Sequence, residues 1–148
     1  MRKCSHNWKV ARRRVIELRG RTVNKGNVEG EAIVLETPFS FTGDFDPDSG
    51  TLIIKDHLLF GQKIANKILV MPTGKGAVNA AIVIYKAQKK GNAPIGILCR
   101  KADPLTVECA ITVDIPMIDS FDRDPVTTIK TGNRVKILGE EGVVIVHD

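Results

Sequence analysis

Three short segments without any charged residue constrain the fold of this 148-residue chain more than any other feature. They span residues 68–71, 95–99 and 115–118. Continuous apolar runs of this length are typical of strands covered on both faces, which occur mainly in parallel sheets. A helix is predicted in each interval, and the order strand, helix, strand, helix, strand implies parallel pairing through right-handed crossovers.

The first helix is predicted over residues 77–90. Its apolar residues recur at helical spacing, lysines cluster at its end where they complement the helix dipole, and Gly91 supplies the C-terminal stop. The second helix is predicted to open at Asp103, as an N-cap, followed by Pro104 at the first helical position.

Both ends of the chain favour strands. Residues 14–23 and 28–35 have the pattern of strands with one solvated face, and residues 135–138 and 143–146 predict a hairpin. Residues 38–50 are dense in turn formers and predict a loop that ends with a positive φ at Gly50, before a strand over residues 51–54. At 43% hydrophobic and 26% charged residues, the chain is predicted to be one mixed α/β domain.

The net charge of +5 is unevenly distributed along the chain. Residues 1–21 hold eight basic residues and one acidic residue, whereas residues 22–148 carry a net charge of −2. We therefore predict a basic N-terminal arm and first strand over residues 1–21, and the main domain over residues 22–148. The arm suits an acidic partner surface or nucleic acid, or is simply solvated. Nucleic-acid binding is not expected, because one Trp, one Tyr and five Phe offer no set of stacking platforms.

The three cysteines, Cys4, Cys99 and Cys109, are odd in number and widely spaced. This spacing argues against a disulfide framework and against a self-contained zinc or iron–sulfur site, and no metal ligands are predicted in this chain. Cys99 and Cys109 are interpreted as small buried apolar residues. No apolar run reaches the roughly 18 residues of a membrane span, and no signal sequence is evident, so the expected location is the cytoplasm without membrane contact.

The segment Pro72-Thr73-Gly74-Lys75-Gly76 follows the first buried strand and precedes the first helix. In open α/β sheets, ligands bind at this end of the strands. Two glycines allow close backbone approach and Lys75 adds positive charge, so the loop suits a carboxylate or a phosphate. It is not a Walker A loop, because Gly76 stands where Ser or Thr is required after the lysine. The alternative interpretation is a tight strand-to-helix turn without a ligand.

Several motifs in the same order resemble the small-subunit, or swivel-domain, family of the aconitase X proteins. They are Pro-Phe-Ser-Phe-x-Gly-x-x-Asp-Pro-x-x-Gly at residues 38–50, Gly-x-x-x-Ala-x-Lys-Ile-Leu-Val-x-Pro-x-Gly-Lys-Gly at residues 61–76, Ala93-Pro94 and Ala102-Asp103-Pro104. The resemblance covers about residues 26–124. It implies a single swivelling β/β/α domain, like the mobile fourth domain of aconitase, that docks on a separate large subunit and closes its active site.

The resemblance also implies a function. Archaeal members of the family include phosphomevalonate dehydratase, in which the large subunit carries an iron–sulfur cluster and a serine of the small subunit removes the proton next to the acid group. The product would be anhydromevalonate phosphate. The expected substrate is a small anionic hydroxy acid, and the expected substrate-binding residues are Gly74, Lys75 and Gly76.

The position of the family serine is Ala77 in this chain, so the usual base is missing, and Asp44 stands where the family has a glycine. Thr73 carries the remaining hydroxyl of the loop and is the candidate substitute. Three hypotheses follow: a dehydratase small subunit that works with altered residues, a catalytically silent paralogue that binds or regulates the large subunit, and an unrelated anion-binding module.

Overall fold

The structure is a computed structural model that describes residues 14–147. These residues form ten strands and three helices. The strands are β1 (Val15–Arg19), β2 (Arg21–Asn24), β3 (Asn27–Val34), β4 (Phe45–Asp46), β5 (Thr51–Leu52), β6 (Ile68–Met71), β7 (Gly96–Cys99), β8 (Met117–Asp119), β9 (Arg134–Leu138) and β10 (Val143–His147). The helices are α1 (Ala80–Lys89), α2 (Pro104–Val113) and α3 (Pro125–Thr128).

Strands β6, β7 and β8 pair in parallel, which confirms the predicted strand–helix–strand–helix–strand unit. Successive side chains of β6 point into two different apolar cores: Leu69 and Met71 into one, Ile68 and Val70 into the other. All four are fully buried. Burial on both faces explains why these segments are unbroken apolar runs in the sequence.

Eight strands are hydrogen-bonded in the order β1-β10-β9-β3-β6-β7-β8-β2 and form two layers. Strand β3 belongs to both layers, because residues 27–31 pair with β9 and residues 32–34 pair with β6. Helices α1 and α2 cover the outer face of the β6-β7-β8 layer, where Ile84 and Ala110 join the core that contains Leu69. The result is the sheet, sheet, helix arrangement that was expected for a β/β/α domain.

Gly20 connects β1 and β2, the two strands that stand at opposite ends of this order. It lies between β1 and β2, and its N–H donates to the carbonyl of Gly142 at 2.8 Å. A Cβ atom at Gly20 would lie 2.6 Å from the carbonyl oxygen of Asp119 and 2.8 Å from Cγ2 of Ile118. The chain therefore crosses from one layer to the other at a point with no room for a side chain.

The structure corrects five details of the predicted elements. The segment 14–23 forms two strands in different layers rather than one, strand β5 ends at Leu52, and the loop 38–50 contains the short strand β4. Helix α3 was not predicted, although Asp124-Pro125 repeats the Asp-Pro signal that correctly placed α2. Helix α1 begins at Ala80 instead of Ala77.

Other predictions are confirmed. The C-terminal hairpin forms between β9 and β10, Gly50 has a φ of +73°, and Gly91 follows α1 with a φ of +75°. Most of the basic arm, residues 1–13, lies outside the described residues, and its role and the boundary at residues 21 and 22 stay predictions. Among the helices that are described, none has the length and hydropathy of a membrane span.

We predict that Gly20→Ala lowers the free energy of unfolding by about 1–3 kcal/mol, the usual range for overpacking, because the backbone carbonyl of Asp119 cannot move away without breaking the β2–β8 pairing. Equilibrium urea unfolding of the two proteins measures the difference. A change below about 0.5 kcal/mol, typical of neutral surface substitutions, would contradict the tight crossing.

Candidate functional site

The candidate loop, residues 72–79, lies at the carboxyl end of β6, beside the segments that follow β3 and β7. The carbonyl of Pro72 accepts the N–H groups of Arg100 and Lys101 at 3.0 and 3.2 Å. These contacts tie the loop to the end of β7. Ligand sites of open α/β sheets occupy this edge.

A second set of backbone bonds fixes the loop to Phe39, which is buried in the segment after β3. The N–H of Phe39 donates to the carbonyl of Thr73 at 3.1 Å, and the N–H of Lys75 donates to the carbonyl of Phe39 at 3.0 Å. Phe39 itself is anchored edge-on against the ring of Phe41. The backbone of residues 73–75 therefore extends this edge by one short parallel bridge.

Gly74 and Gly76 are required by their surroundings. Gly74 is buried, and a Cβ atom there would overlap the hydroxyl oxygen of Thr106 and Oδ1 of Asp103. Gly76 has a φ of +57°, a conformation that favours glycine, and a Cβ there would lie 2.9 Å from Cδ1 of Leu105. Close contact with the start of α2 thus explains both glycines without any ligand.

Asp103 caps α2 and faces the candidate loop. Its Oδ2 accepts the N–H of Thr106 at 3.2 Å, the N-cap bond that the sequence predicted. Its Oδ1 is buried and has no hydrogen-bond partner within the described residues. A carboxylate oxygen therefore lies directly behind the backbone of Gly74.

Lys75 is positioned by Asp44. The Nζ atom of Lys75 lies 3.1 Å from Oδ2 of Asp44, and the same oxygen accepts the N–H of Ser40 at 3.0 Å. The Asp44 side chain is 12% exposed, whereas the Lys75 side chain is 54% exposed. The ion pair holds the ammonium group at the surface of the loop, where an anion from solvent or from a partner can reach it.

Asp119 stabilises the segment that leads into α2, behind the candidate loop. Its carboxylate accepts two hydrogen bonds from Arg21, at 2.9 and 2.8 Å, and the N–H of Ala102 at 2.8 Å. Burial acts to raise the pKa of Asp119, but the hydrogen bonds from Arg21 and Ala102 outweigh it and hold the pKa below its ordinary value. Because Ala102 precedes Asp103, this carboxylate also fixes the start of the segment that contacts Gly74.

The structure brings Thr73, Gly74, Lys75 and Gly76 together in one loop, as the sequence predicted. Ala77 lies in the turn before α1, so the expectation that it opens the helix is wrong. The N-cap residue is Asn79, whose side-chain oxygen accepts the hydroxyl of Thr42 at 2.9 Å instead of capping the helix. Ala77 is therefore not in the first helical turn beside free N–H groups.

Thr73 is half-buried, and its hydroxyl makes no hydrogen bond to the described residues. Asp44 and Asp119 were not predicted as site residues. Asp44 bonds to the backbone four residues earlier, a pattern that local sequence can suggest, but its contact with Lys75 spans 31 positions. The contact of Asp119 with Arg21 spans 98 positions.

The two cysteines within the described residues, Cys99 and Cys109, belong to the apolar core. Both are completely buried, and burial raises the pKa of each thiol to about 12, as expected for cysteines in apolar surroundings. Their interpretation as buried apolar residues is confirmed. Across residues 14–147, no group of three His, Cys, Asp or Glu side chains is placed to hold a metal ion.

A cavity of about 670 Å³ opens at the same edge, beyond the candidate loop. Arg100, Glu36 and Lys130 contribute its charged lining, and Arg100 donates to Asp124 at 2.8 Å. The cavity and the candidate loop thus share the carboxyl edge of the parallel strands but are lined by different residues.

Comparisons with known proteins agree with this arrangement. The family model of the aconitase X swivel domain matches residues 17–146. The phosphomevalonate dehydratase small subunit of Thermococcus gammatolerans is 42% identical over 133 residues, covering 90% of this chain and 99% of that protein. The protein of the same name from Methanosarcina acetivorans is 36% identical over 129 residues, covering 87% and 90%.

The fold comparison gives the same result. A chain of the crystal structure of Thermococcus kodakaraensis aconitase X in its holo form superposes with a TM-score of 0.83 at 38% identity. The match covers 90% of this chain and 99% of that chain.

The lowered pKa of Asp119 gives a prediction for pH. A carboxylate whose pKa is lowered by folding stabilises the native state above the ordinary aspartate pKa of about 3.9, and this contribution is lost as the pH falls through the lower folded-state value. We expect Asp119→Asn to be less stable than the wild type at pH 7, with the difference shrinking toward pH 2.

Urea unfolding at pH 7, 4 and 2 measures this difference. The control is Asp48→Asn, which removes an exposed carboxylate paired with Lys90 and should leave stability nearly unchanged at every pH. A constant gap between Asp119→Asn and the wild type from pH 7 to pH 2 would show that the charge of Asp119 is not what stabilises the fold.

Proposed function

Because the chain belongs to the aconitase X swivel-domain family, we propose that it is the small subunit of a phosphomevalonate dehydratase, acting with a large subunit to convert phosphomevalonate into anhydromevalonate phosphate. The support is the agreement in name of relatives that align over 87–90% of this chain at 36–42% identity. The alignments cover 90–100% of those small subunits, so no further domain of theirs lies outside the matched region.

The observation that carries the proposal is the surface of residues 74–76. Lys75 presents an ammonium group that Asp44 holds in place, and 54% of the Lys75 side chain is exposed. Phosphate and carboxylate groups form strong, charge-assisted hydrogen bonds with such cations. In this role the chain holds the anionic end of the substrate and orients it toward the large subunit.

The proton acceptor is the second part of the proposal. Loss of water from a hydroxy acid requires a base that takes the proton next to the acid group while the hydroxyl departs. Ala77 has no such group, and Thr73 carries the single hydroxyl of residues 72–79. We assign the proton transfer to the Thr73 oxygen, whose ionised form the cation of Lys75 would stabilise.

Substitution of Lys75 tests the anion site. In the complex with the large subunit, we expect Lys75→Met to raise KM for phosphomevalonate about tenfold or more, since a hydrogen bond to a charged group contributes roughly 1.5–3 kcal/mol. The matched control is Lys90→Met, because Lys75 and Lys90 are both 54% exposed and each pairs with an aspartate. Equal KM values for the two variants would refute the anion site.

Two further variants test the proton acceptor. We expect Thr73→Val to lower kcat by about 10²-fold or more, the usual contribution of a general base, without a matching change in KM. Ala77→Ser should leave kcat nearly unchanged. The opposite result, an unchanged kcat in Thr73→Val with a large gain in Ala77→Ser, would refute Thr73 as the proton acceptor. No detectable turnover in the wild type or in either variant would favour the silent paralogue.

A further inference from the structure

Two carboxylates lie next to Lys75, the basic residue of the candidate loop. The Oδ2 atom of Asp44 lies 3.1 Å from the Nζ atom of Lys75. The Oδ1 atom of Asp103 lies behind the backbone of Gly74, where it is buried and accepts no hydrogen bond from the described residues. Both carboxylates repel an anion that approaches Lys75, so they restrict which anions bind there.

Asp44 is held in place by its own contacts. Its Oδ2 atom also accepts the N–H of Ser40 at 3.0 Å, and its side chain is 12% exposed. The next residue, Phe45, packs its ring edge-on against Phe41 in the core. Asp44 therefore stays beside the ammonium group when a ligand arrives, and the ligand shares Lys75 with it.

The charge of the ligand decides how well it shares this ammonium group. An ammonium group has three N–H donors, so two remain for a ligand when Asp44 accepts one. A carboxylate carries one negative charge, whereas a phosphate ester carries about −1.5 to −2 at pH 7. Attraction to Lys75 and repulsion from Asp44 both grow with that charge and largely cancel, while the cost of removing the ligand from water also grows. The ion pair therefore favours a singly charged carboxylate.

The backbone places this carboxylate site beside Thr73. The N–H of Phe39 donates to the carbonyl of Thr73, and the carbonyl of Phe39 accepts the N–H of Lys75. This is the pattern of a parallel bridge centred on Gly74. Side chains two residues apart in an extended segment project from the same side, so Thr73 and Lys75 face the same ligand. If Thr73 takes the proton next to the acid group, that acid group lies beside Lys75.

We propose that Asp44 is a specificity-determining residue, which makes Lys75 a site for a singly charged carboxylate instead of a doubly charged phosphate. The identity of this carboxylate rests on the proposed function: it is the acid group of phosphomevalonate. The phosphate stands at the other end of the carbon chain, and it is held outside the candidate loop.

The variant Asp44→Asn tests the charge of Asp44 with little change in shape. The amide oxygen of Asn can accept the N–H of Ser40 and contact Lys75, as Oδ2 of Asp44 does, but it carries no charge. The probes are acetate, with one negative charge, and sulfate, with two. Dissociation constants are measured by NMR titration of the full-length chain, from the amide signals of residues 74–76, at matched ionic strength.

In the wild type we expect sulfate to bind no more tightly than acetate. In Asp44→Asn we expect acetate to bind about threefold and sulfate about tenfold more tightly, because the repulsion energy that is removed doubles with the charge of the probe. The matched control is Asp48→Asn, whose carboxylate pairs with Lys90 and is 74% exposed, and it should leave both constants unchanged.

Tighter binding of sulfate than of acetate by the wild type would overturn the proposal. An equal gain for the two probes in Asp44→Asn, or no gain, would also overturn it. The wild-type comparison needs no variant, so the proposal stays testable if Asp44→Asn does not fold. If neither probe shifts the amide signals of residues 74–76 in the wild type, the anion site itself is refuted.

Inhibition of the complex tests which end of the substrate Lys75 holds. Mevalonate has the acid group of phosphomevalonate and lacks its phosphate. We expect Lys75→Met to raise KM for phosphomevalonate and the inhibition constant of mevalonate by the same factor. A rise in KM alone, or no inhibition of the wild-type complex by mevalonate, would overturn the proposal. If the wild-type complex does not dehydrate phosphomevalonate, the proposed function fails, and the acetate and sulfate titrations still decide the selectivity of Lys75.

Discussion

The carboxylate of Asp119 connects strand β8, strand β2 and the segment after β7, and the rest of the structure depends on these connections. It lies at the end of β8, accepts two hydrogen bonds from Arg21 on β2, and accepts the N–H of Ala102 after β7. The first contact completes one end of the strand order, next to the crossing at Gly20. The second sets the path of the chain into α2. Attachment of β2 to the sheet and placement of the candidate loop therefore depend on the same buried charge.

The loop takes its shape from α2 rather than from its own sequence. Asp103 and Thr106 at the start of that helix fill the space where a side chain at residue 74 would lie, and Leu105 occupies the corresponding space at residue 76. Glycine at these two positions is thus explained by packing, and Lys75 between them is the residue that packing does not explain. The fold therefore requires the two glycines of the loop, whereas a ligand would require Lys75.

Local signals in the sequence were sufficient for most of the fold. Unbroken apolar runs identified the strands buried on both faces, and Asp103-Pro104 identified the start of α2, because each signal acts within a few residues. The start of α1 was placed too early because Ala77, Ala80 and Ala81 fit helical spacing, and propensity is a weak guide to where a helix begins. The side chain of Asn79, which would normally cap the helix, instead contacts Thr42, 37 positions away.

The candidate site was only partly predictable, because most of its side-chain contacts join residues that are far apart in the sequence. The loop of residues 73–76 followed from its place after a buried strand, and the resemblance to the aconitase X family identified position 77. Pairing of Lys75 with Asp44 and of Arg21 with Asp119 depends on the completed sheet, so neither was predictable from neighbouring residues. The roles of Thr73, Lys75 and Ala77 in catalysis stay predictions.

The backbone bonds of the candidate loop have a mechanical consequence. Pro72 is bonded to the end of β7, and residues 73 and 75 are bonded to Phe39, whose ring is buried in the core beneath α1. A segment held at these points moves together with the sheet and does not fold over a ligand by itself. Opening and closing around a ligand would then require movement of the sheet that carries the loop, and not of the loop alone.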